Sequence, residues 1–368
     1  MKPNIALNLA PSGRWTLRDE AAPRRLVRRW ASAINQMRCT RFRLFVLSLM
    51  LLSSTVILAQ PYHGPIIDAH GHLGASFNWE MMVEAMDRNN VTQRTVMARY
   101  YPGPEGPRDL PGSDEDAVRL AERYPGKFFP LVGMQQPLLT GSHKWRFPDR
   151  EAERLIEETE RKLASGRYFG IGEFIVRHWS YSPGAHAEQE NPIYSTFMQR
   201  MSAVAARFDV PMVVHMEGYP ALVDDFSRLL AEYPNVRFVW AHSCGRSKAS
   251  VIRSMLERHP NLFCDLAGMT NVGSTGYGTG WPRMEEFTAL IEEGGVLFPE
   301  MKALYEQFPD RFMLGMDVAH APGNNLQNYS RRVNRFRDLL GQLKPETARK
   351  FAESTAIRVF KLTGTMAR

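Results

Sequence analysis

From Gln60 to the C-terminus, short apolar runs alternate with longer amphipathic stretches. The apolar runs lie at 65–70, 94–98, 128–133, 169–174, 211–215, 237–242, 262–266 and 312–315. Several are rich in β-branched or aromatic residues, as buried strands should be. The stretches between them carry helical spacing. Phe197, Met201, Val204, Ala205 and Phe208 form one apolar stripe, and Asn191-Pro192 before it reads as a cap followed by proline at the first helical position. Leu155, Ile156, Thr159 and Leu163 form another stripe, with Gly166 as its stop, and Val333, Phe336, Leu339 and Leu340 mark a late helix.

Eight strands alternating with helices over this length predict a single-domain (β/α)8 barrel spanning 60–368, with a doubly wound open sheet as the alternative. No Pro/Gly/Ser-rich linker divides the body. The stretch 268–280 holds five glycines. It reads either as a lid over a site or as an ordinary long loop.

Residues 1–59 are different. They carry ten Lys/Arg against two acidic residues, Asp19 and Glu20, which leaves 36 Lys/Arg against 37 Asp/Glu in the rest. The formal net charge of +7 therefore belongs to the leader, and the body has no general reason to bind nucleic acid. Within the leader, 44–59 is an uncharged apolar run preceded by Arg38, Arg41 and Arg43. This pattern predicts a secretory signal, and hence a periplasmic or secreted protein. The alternative is an uncleaved N-terminal anchor, which would then be the chain's membrane contact. Met37 begins a segment of ordinary signal-peptide proportions and is the expected start. Cys244 and Cys264, the cysteines beyond the leader, lie near the ends of neighbouring strands. A bridge between them is one reading; two buried thiols is the expected one.

The candidate chemistry sits at strand ends. In Asp68-Ala69-His70-Gly71-His72, His70 and His72 project to one side of a strand and form a chelate for a divalent transition metal. His215 ends the fifth strand, His242 the sixth, and Asp317 follows the eighth. For any one of these histidines, a hydrogen-bonded core imidazole is the ordinary explanation. For four strands of a barrel that converge at one face, a metal site explains the set. Zn²⁺ or a similar ion would lower the pKa of water to about 7 and polarise a carbonyl.

The D-x-H-x-H start, the two later strand-end histidines and the final strand-end aspartate resemble the amidohydrolase superfamily, in particular its amidohydrolase-related branch of lactonases, hydrolases and non-oxidative decarboxylases. The resemblance runs from about Pro65 to the closing segment 354–360. It implies that His70, His72 and Asp317 bind the metal, with His215 as a further ligand or near-ligand. It also implies that His242 orients substrate or water, and that Asp317 takes a proton from water. Glu173, at the end of the fourth strand, matches a position where some branches place a bridging carboxylate. It reads as ligand, general base or partner to an imidazole, or as a buried carboxylate paired with Arg177.

A small-molecule substrate is expected, and a homo-oligomer is compatible with the sequence. Strand-end loops carry Trp79, Tyr100, Tyr101, Trp179, Tyr181, Tyr219, Tyr277 and Trp281, with Arg99, Arg177 and Arg246 at comparable positions. They read either as plugs of the barrel mouth or as walls for a planar ligand, with or without a carboxylate, and Arg177, Trp79, Tyr100 and Tyr219 are the candidate substrate contacts. The chain lacks a G-x-S-x-G elbow, a P-loop and a complete dinucleotide-binding glycine motif. The expected activity is metal-dependent hydrolysis of an ester, lactone or amide. Decarboxylation is the alternative, and a non-catalytic ligand-binding barrel is a second one.

Overall fold

The computed structural model describes residues 60–75, 78–101, 110–179, 188–270, 290–292, 294–318 and 326–362. The leader and most of the glycine-rich 268–280 stretch, including Tyr277, lie outside the described residues, as do Trp281 and Tyr181. By contacts the chain divides into two units, 1–58 and 59–368. The second unit holds the sheet and all of its helices.

Eight parallel strands form the main path of a ten-stranded sheet: β1 (Ile66–Asp68), β2 (Val91–Arg99), β3 (Phe128–Gln135), β4 (Ile171–His178), β5 (Met212–Met216), β6 (Phe238–Trp240), β7 (Leu262–Asp265) and β8 (Phe312–Met313), with the two-residue strand Gln189–Glu190 pairing antiparallel to β4. They neighbour one another in chain order, without the switch point a doubly wound sheet requires. A two-residue strand, His72–Leu73, continues β1 along β2. The ends also meet. Ala69 N donates to Leu314 O at 2.9 Å, and Asp317 N to His70 O at 2.9 Å. The sheet is therefore curled into a barrel, and its join lies beside the D-x-H-x-H segment.

Helices follow the strands: α1 (Trp79–Arg88), α2 (Asp114–Arg123), α3 (Arg150–Ala164), α4 (Thr196–Phe208), α5 (Pro220–Glu232), α6 (Ala249–Arg258), α7 (Pro299–Gln307) and α8 (Leu326–Gly341). The stripe on α4 faces the sheet as its spacing predicts, with Phe197, Met201, Val204 and Ala205 buried. Its start differs from the expectation. Ser195 caps the helix by accepting from Met198 N. Asn191 instead donates from its side chain to Ile175 O, which ties the preceding loop to β4. Among the described residues, no helix is long and apolar enough to cross a membrane.

Strand alternation separates two apolar layers. Met212, Val214, Phe238 and Trp240 face the helices, while Val213, Val239, Phe263 and Met313 fill the barrel interior. Val359 and Phe360 of the closing helical segment join that interior cluster. The barrel is thus a filled core, and the polar site occupies the face at the strands' C-terminal ends. Asp68 holds the join together. Its Oδ1 accepts from Met316 N at 2.8 Å, and its carboxylate lies 3.5 Å from the fully buried Arg94. Arg94 in turn donates to Val318 O at 2.9 Å. At Gly315 a Cβ would come within 2.6 Å of His70 Cβ, so the close approach of β8 to His70 requires glycine.

Candidate metal centre

His70, His72, Glu173, His215, His242 and Asp317 come together above the interior cluster. The first five are buried; the Asp317 side chain retains 29% exposure. Glu173 lies at the middle. Its Oε1 is 3.5 Å from His70 Nε2, 3.2 Å from His215 Nδ1 and 3.4 Å from His242 Nε2. Its Oε2 is 3.4 Å from His72 Nε2. Asp317 Oδ1 lies 3.5 Å from His72 Nε2 and 4.0 Å from His70 Nε2. Two clusters of ligand-type atoms result, His70–His72–Glu173 and Glu173–His215–His242, and they share the carboxylate.

The distal ring atoms explain the aim of the proximal ones. His70 Nδ1 is 2.9 Å from Asp265 Oδ2, and His242 Nδ1 donates to Ala267 O at 2.9 Å. A proton held on each Nδ1 leaves the Nε2 lone pair facing the centre. The Nε2 atoms of His70 and His72 then approach to 3.3 Å, and His242 Nε2 lies 2.9 Å from His215 Nδ1. Lone pairs and carboxylate oxygens crowded in a dry pocket repel unless a cation, proton or metal, lies among them. The donor set therefore fits a divalent metal ion.

The ionisation of the metal-free centre follows the same logic. Burial alone would lower the His70 imidazolium, but Asp265 and Glu173 outweigh it and hold it well above the ordinary range. His215 is pushed up to about 9, where burial is overcome by Glu173 and Glu217. The carboxylates move the other way. Glu173 is held well below the usual range despite burial, by His70 and His215. Asp317 is drawn down to about 2 against burial by His242, His70 and His72. His242 is lowered by burial, Arg246 and His215.

His242 also opens an unusual turn. His242, Ser243, Cys244, Gly245 and Arg246 all have left-handed φ, from 52° to 68°. Side-chain-bearing residues pay for this conformation, so the turn needs outside support. Asp265 Oδ1 accepts from His242 N at 3.0 Å, Gly218 N donates to Gly245 O at 2.9 Å, and a disulfide joins Cys244 to Cys264 of β7. The expectation of two free thiols is thereby corrected: the turn carries Cys244 to 5.1 Å, Cα to Cα, from Cys264.

The candidate substrate contacts fare differently. Tyr100 faces α2, where its hydroxyl accepts from Asp114 N at 3.1 Å. Trp79 packs edge-on against Phe128, 5.8 Å away, in the layer outside the strands. Neither meets the centre. Arg177 lies at the mouth, but its guanidinium engages Glu188 and Glu190 and stacks on Trp179, leaving Glu173 to the histidines. Tyr219 is exposed at the start of α5. Tyr101, read from the sequence as one of the strand-end aromatics, lies nearer: its hydroxyl donates to Gln135 at 2.9 Å while Gln135 Nε2 donates to Glu173 Oε2 at 2.8 Å, a link to the centre that sequence reasoning missed. It also missed Asp265 and Glu217. Asp265 was legible as a strand-end carboxylate, and Glu217 as the residue two positions beyond His215.

Comparison with known proteins agrees with this architecture. A family model described as amidohydrolase matches residues 144–362, more than half of the chain. The chain belongs to the amidohydrolase family. The match begins beyond β3, so His70 and His72 lie upstream of it. Among curated proteins none matches in sequence. Among solved structures, the amidohydrolase chain resembles an uncharacterized TIM-barrel protein from Bordetella bronchiseptica, with 16% identity, a TM-score of 0.50, and coverage of 78% of this chain and 84% of that one. It also resembles an Agrobacterium tumefaciens protein in its apo form, at 14% identity and a TM-score of 0.50, covering 83% and 96%. A 2,6-dihydroxybenzoate decarboxylase from Rhizobium aligns at 12% identity and a TM-score of 0.46, covering 82% and 100%. At these identities the likeness is one of fold. Amidohydrolases of this superfamily are metal-dependent, and this chain carries the His/Glu groups to match.

Proposed function

We propose that the chain is a metal-dependent hydrolase that adds water to an ester, lactone or amide of a small substrate. The observation that carries this reading is the placement of Glu173 between two histidine pairs. His70, His72, Asp317 and Glu173 would hold one divalent ion, and Glu173, His215 and His242 would be the residues to hold a second. Such ions, Zn²⁺ being our candidate, would make water nucleophilic near neutral pH and polarise the carbonyl.

The protein's own residues supply the rest. Asp317 is a carboxylate at the edge of the centre and the group of the set most open to solvent, which places it to accept a proton from water. Gln135 and Tyr101 fix the orientation of Glu173. His242 was expected to orient substrate or water. Its Nδ1–H bond to Ala267 O and the inward lone pair on Nε2 favour a ligand role instead. Recognition of a substrate carboxylate by Arg177 would have to compete with Glu188 and Glu190, so we favour a substrate without a required carboxylate at that position.

We also propose that the protein is exported. A disulfide in the body suits an oxidising compartment and supports the reading of the leader as a signal. A screen of the metal-loaded protein on esters, lactones and amides, with product mass analysis, tests the function. Hydrolysis abolished by a chelator and restored by Zn²⁺ is the expected result. Release of CO₂ would replace hydrolysis with decarboxylation. Bound metal without turnover on any class would favour a ligand-binding barrel.

A further inference from the structure

Glu217 and Arg246 lie behind the His215–His242 side of the centre, where the hydrolytic reading gives them no task. Glu217 Oε1 is 3.3 Å from His215 Nε2 and 2.8 Å from Arg246 Nη1. Both side chains are almost fully buried, at 2% and 3% exposure. The His215 ring thus spans two carboxylates, with Nδ1 toward Glu173 at 3.2 Å and Nε2 toward Glu217. A carboxylate ion-paired with a guanidinium accepts hydrogen bonds and has no proton to donate. Glu173, which faces Nδ1, would be engaged by the metal ion, so in the loaded centre the proton of a neutral His215 is held on Nε2 by Glu217 and the Nδ1 lone pair is turned toward the centre. Arg246 arrives on the left-handed turn that begins with His242, so one turn supplies both His242 to the centre and the cation that holds Glu217.

We infer that Glu217, held by Arg246, is the positioning residue that makes the His215–His242 side competent to take a metal ion. The His70–His72 side uses a different carboxylate for the same purpose, Asp265. Asp265 also accepts from His242 N, so it is mutation of Glu217, which meets His215, that should weaken one side alone. This inference rests on the two-ion form of the proposed hydrolase.

The test uses the full chain, stripped of metal and dialysed against limiting Zn²⁺. Wild type takes up two equivalents. Glu217→Ala keeps the first at unchanged affinity and binds the second about 10- to 100-fold more weakly. Glu217→Gln stays near wild type, because its amide oxygen accepts the same proton. In zinc-loaded, ¹⁵N-histidine-labelled protein, the His215 Nε2–H signal is present in wild type and in the glutamine variant, and is lost to solvent exchange in the alanine variant. Two equivalents at wild-type affinity in Glu217→Ala, or loss of both together, would overturn the inference. If wild type itself takes up one equivalent, the two-ion reading fails. The His215 signal then decides: its survival in Glu217→Ala overturns the role of Glu217, and its loss upholds it.

Discussion

Replacing Cys244 and Cys264 together by alanine tests whether the left-handed turn depends on its crosslink. The bridge closes a loop of 20 residues. The chain-entropy relation assigns a loop of that length about 3 kcal/mol of stabilisation through the unfolded state. For a body of this size, about 3 kcal/mol corresponds to a fall in Tm of about 5 °C. A local effect adds to the global one. The turn holds four side-chain-bearing residues in left-handed conformation, at about 1–2 kcal/mol each. With the crosslink gone, the bonds from Asp265 and Gly218 must carry that cost, and His242, which opens the turn, should lose its fixed position. The assay is calorimetric melting of wild type, the double variant and reduced wild type, with zinc content measured on each. The reduced and alanine forms should melt together below the oxidised protein and bind zinc more weakly. Identical melting of all three, with alkylation showing both thiols free in the unreduced protein, would refute the bridge and its role in supporting the turn.

Asp317→Asn removes the proton acceptor from a partly open position; turnover should fall by about 10²–10⁴ while the melting temperature stays close to wild type, and near-wild-type rates would remove Asp317 from the mechanism. Asp68→Ala leaves Arg94 buried without its carboxylate at the barrel join and should cost about 3–5 kcal/mol in urea unfolding, so a loss under about 1 kcal/mol would refute the clamp. The metal-free protein should lose stability as pH rises: His215 binds its proton to about 9 when folded but to about 6.5 when unfolded, so its contribution is complete below 6.5 and vanishes through 9. Zinc binding displaces such protons and should strengthen over the same range, so comparing urea midpoints at pH 6 and pH 9 with and without zinc should reveal opposite trends.

The barrel and the four strand ends that carry His70, His72, His215, His242 and Asp317 were legible because both rest on short-range pattern. Apolar runs of strand length recur between helical stripes, and ligand-type residues recur where those runs end. Other features depend on rotation about single bonds or on contacts far apart in sequence. The choice between Tyr100 and Tyr101 turns on strand parity at the exit of β2, which the apolar pattern near residue 94 leaves loose; the observed strand begins earlier, at Val91. The left-handed turn at 242–246 is disfavoured for four of its five residues, so no local preference announces it, and the disulfide that accompanies it was correspondingly hard to expect. Asp265 carried a visible signal, a carboxylate at a strand end. Its work, holding His70 on one oxygen and His242 N on the other, becomes apparent once β1, β6 and β7 are placed together.

The most direct measurement is the metal content of wild type and His70→Ala, purified side by side and dialysed against metal-free buffer. The alanine variant removes the imidazole that lies beside His72, Glu173 and Asp317 together. Wild type should retain tightly held divalent ion and the variant should lose most of it, with little change in far-ultraviolet circular dichroism. Equal metal in the two proteins, or none in wild type after growth and purification with zinc present, would contradict a metal centre at this site.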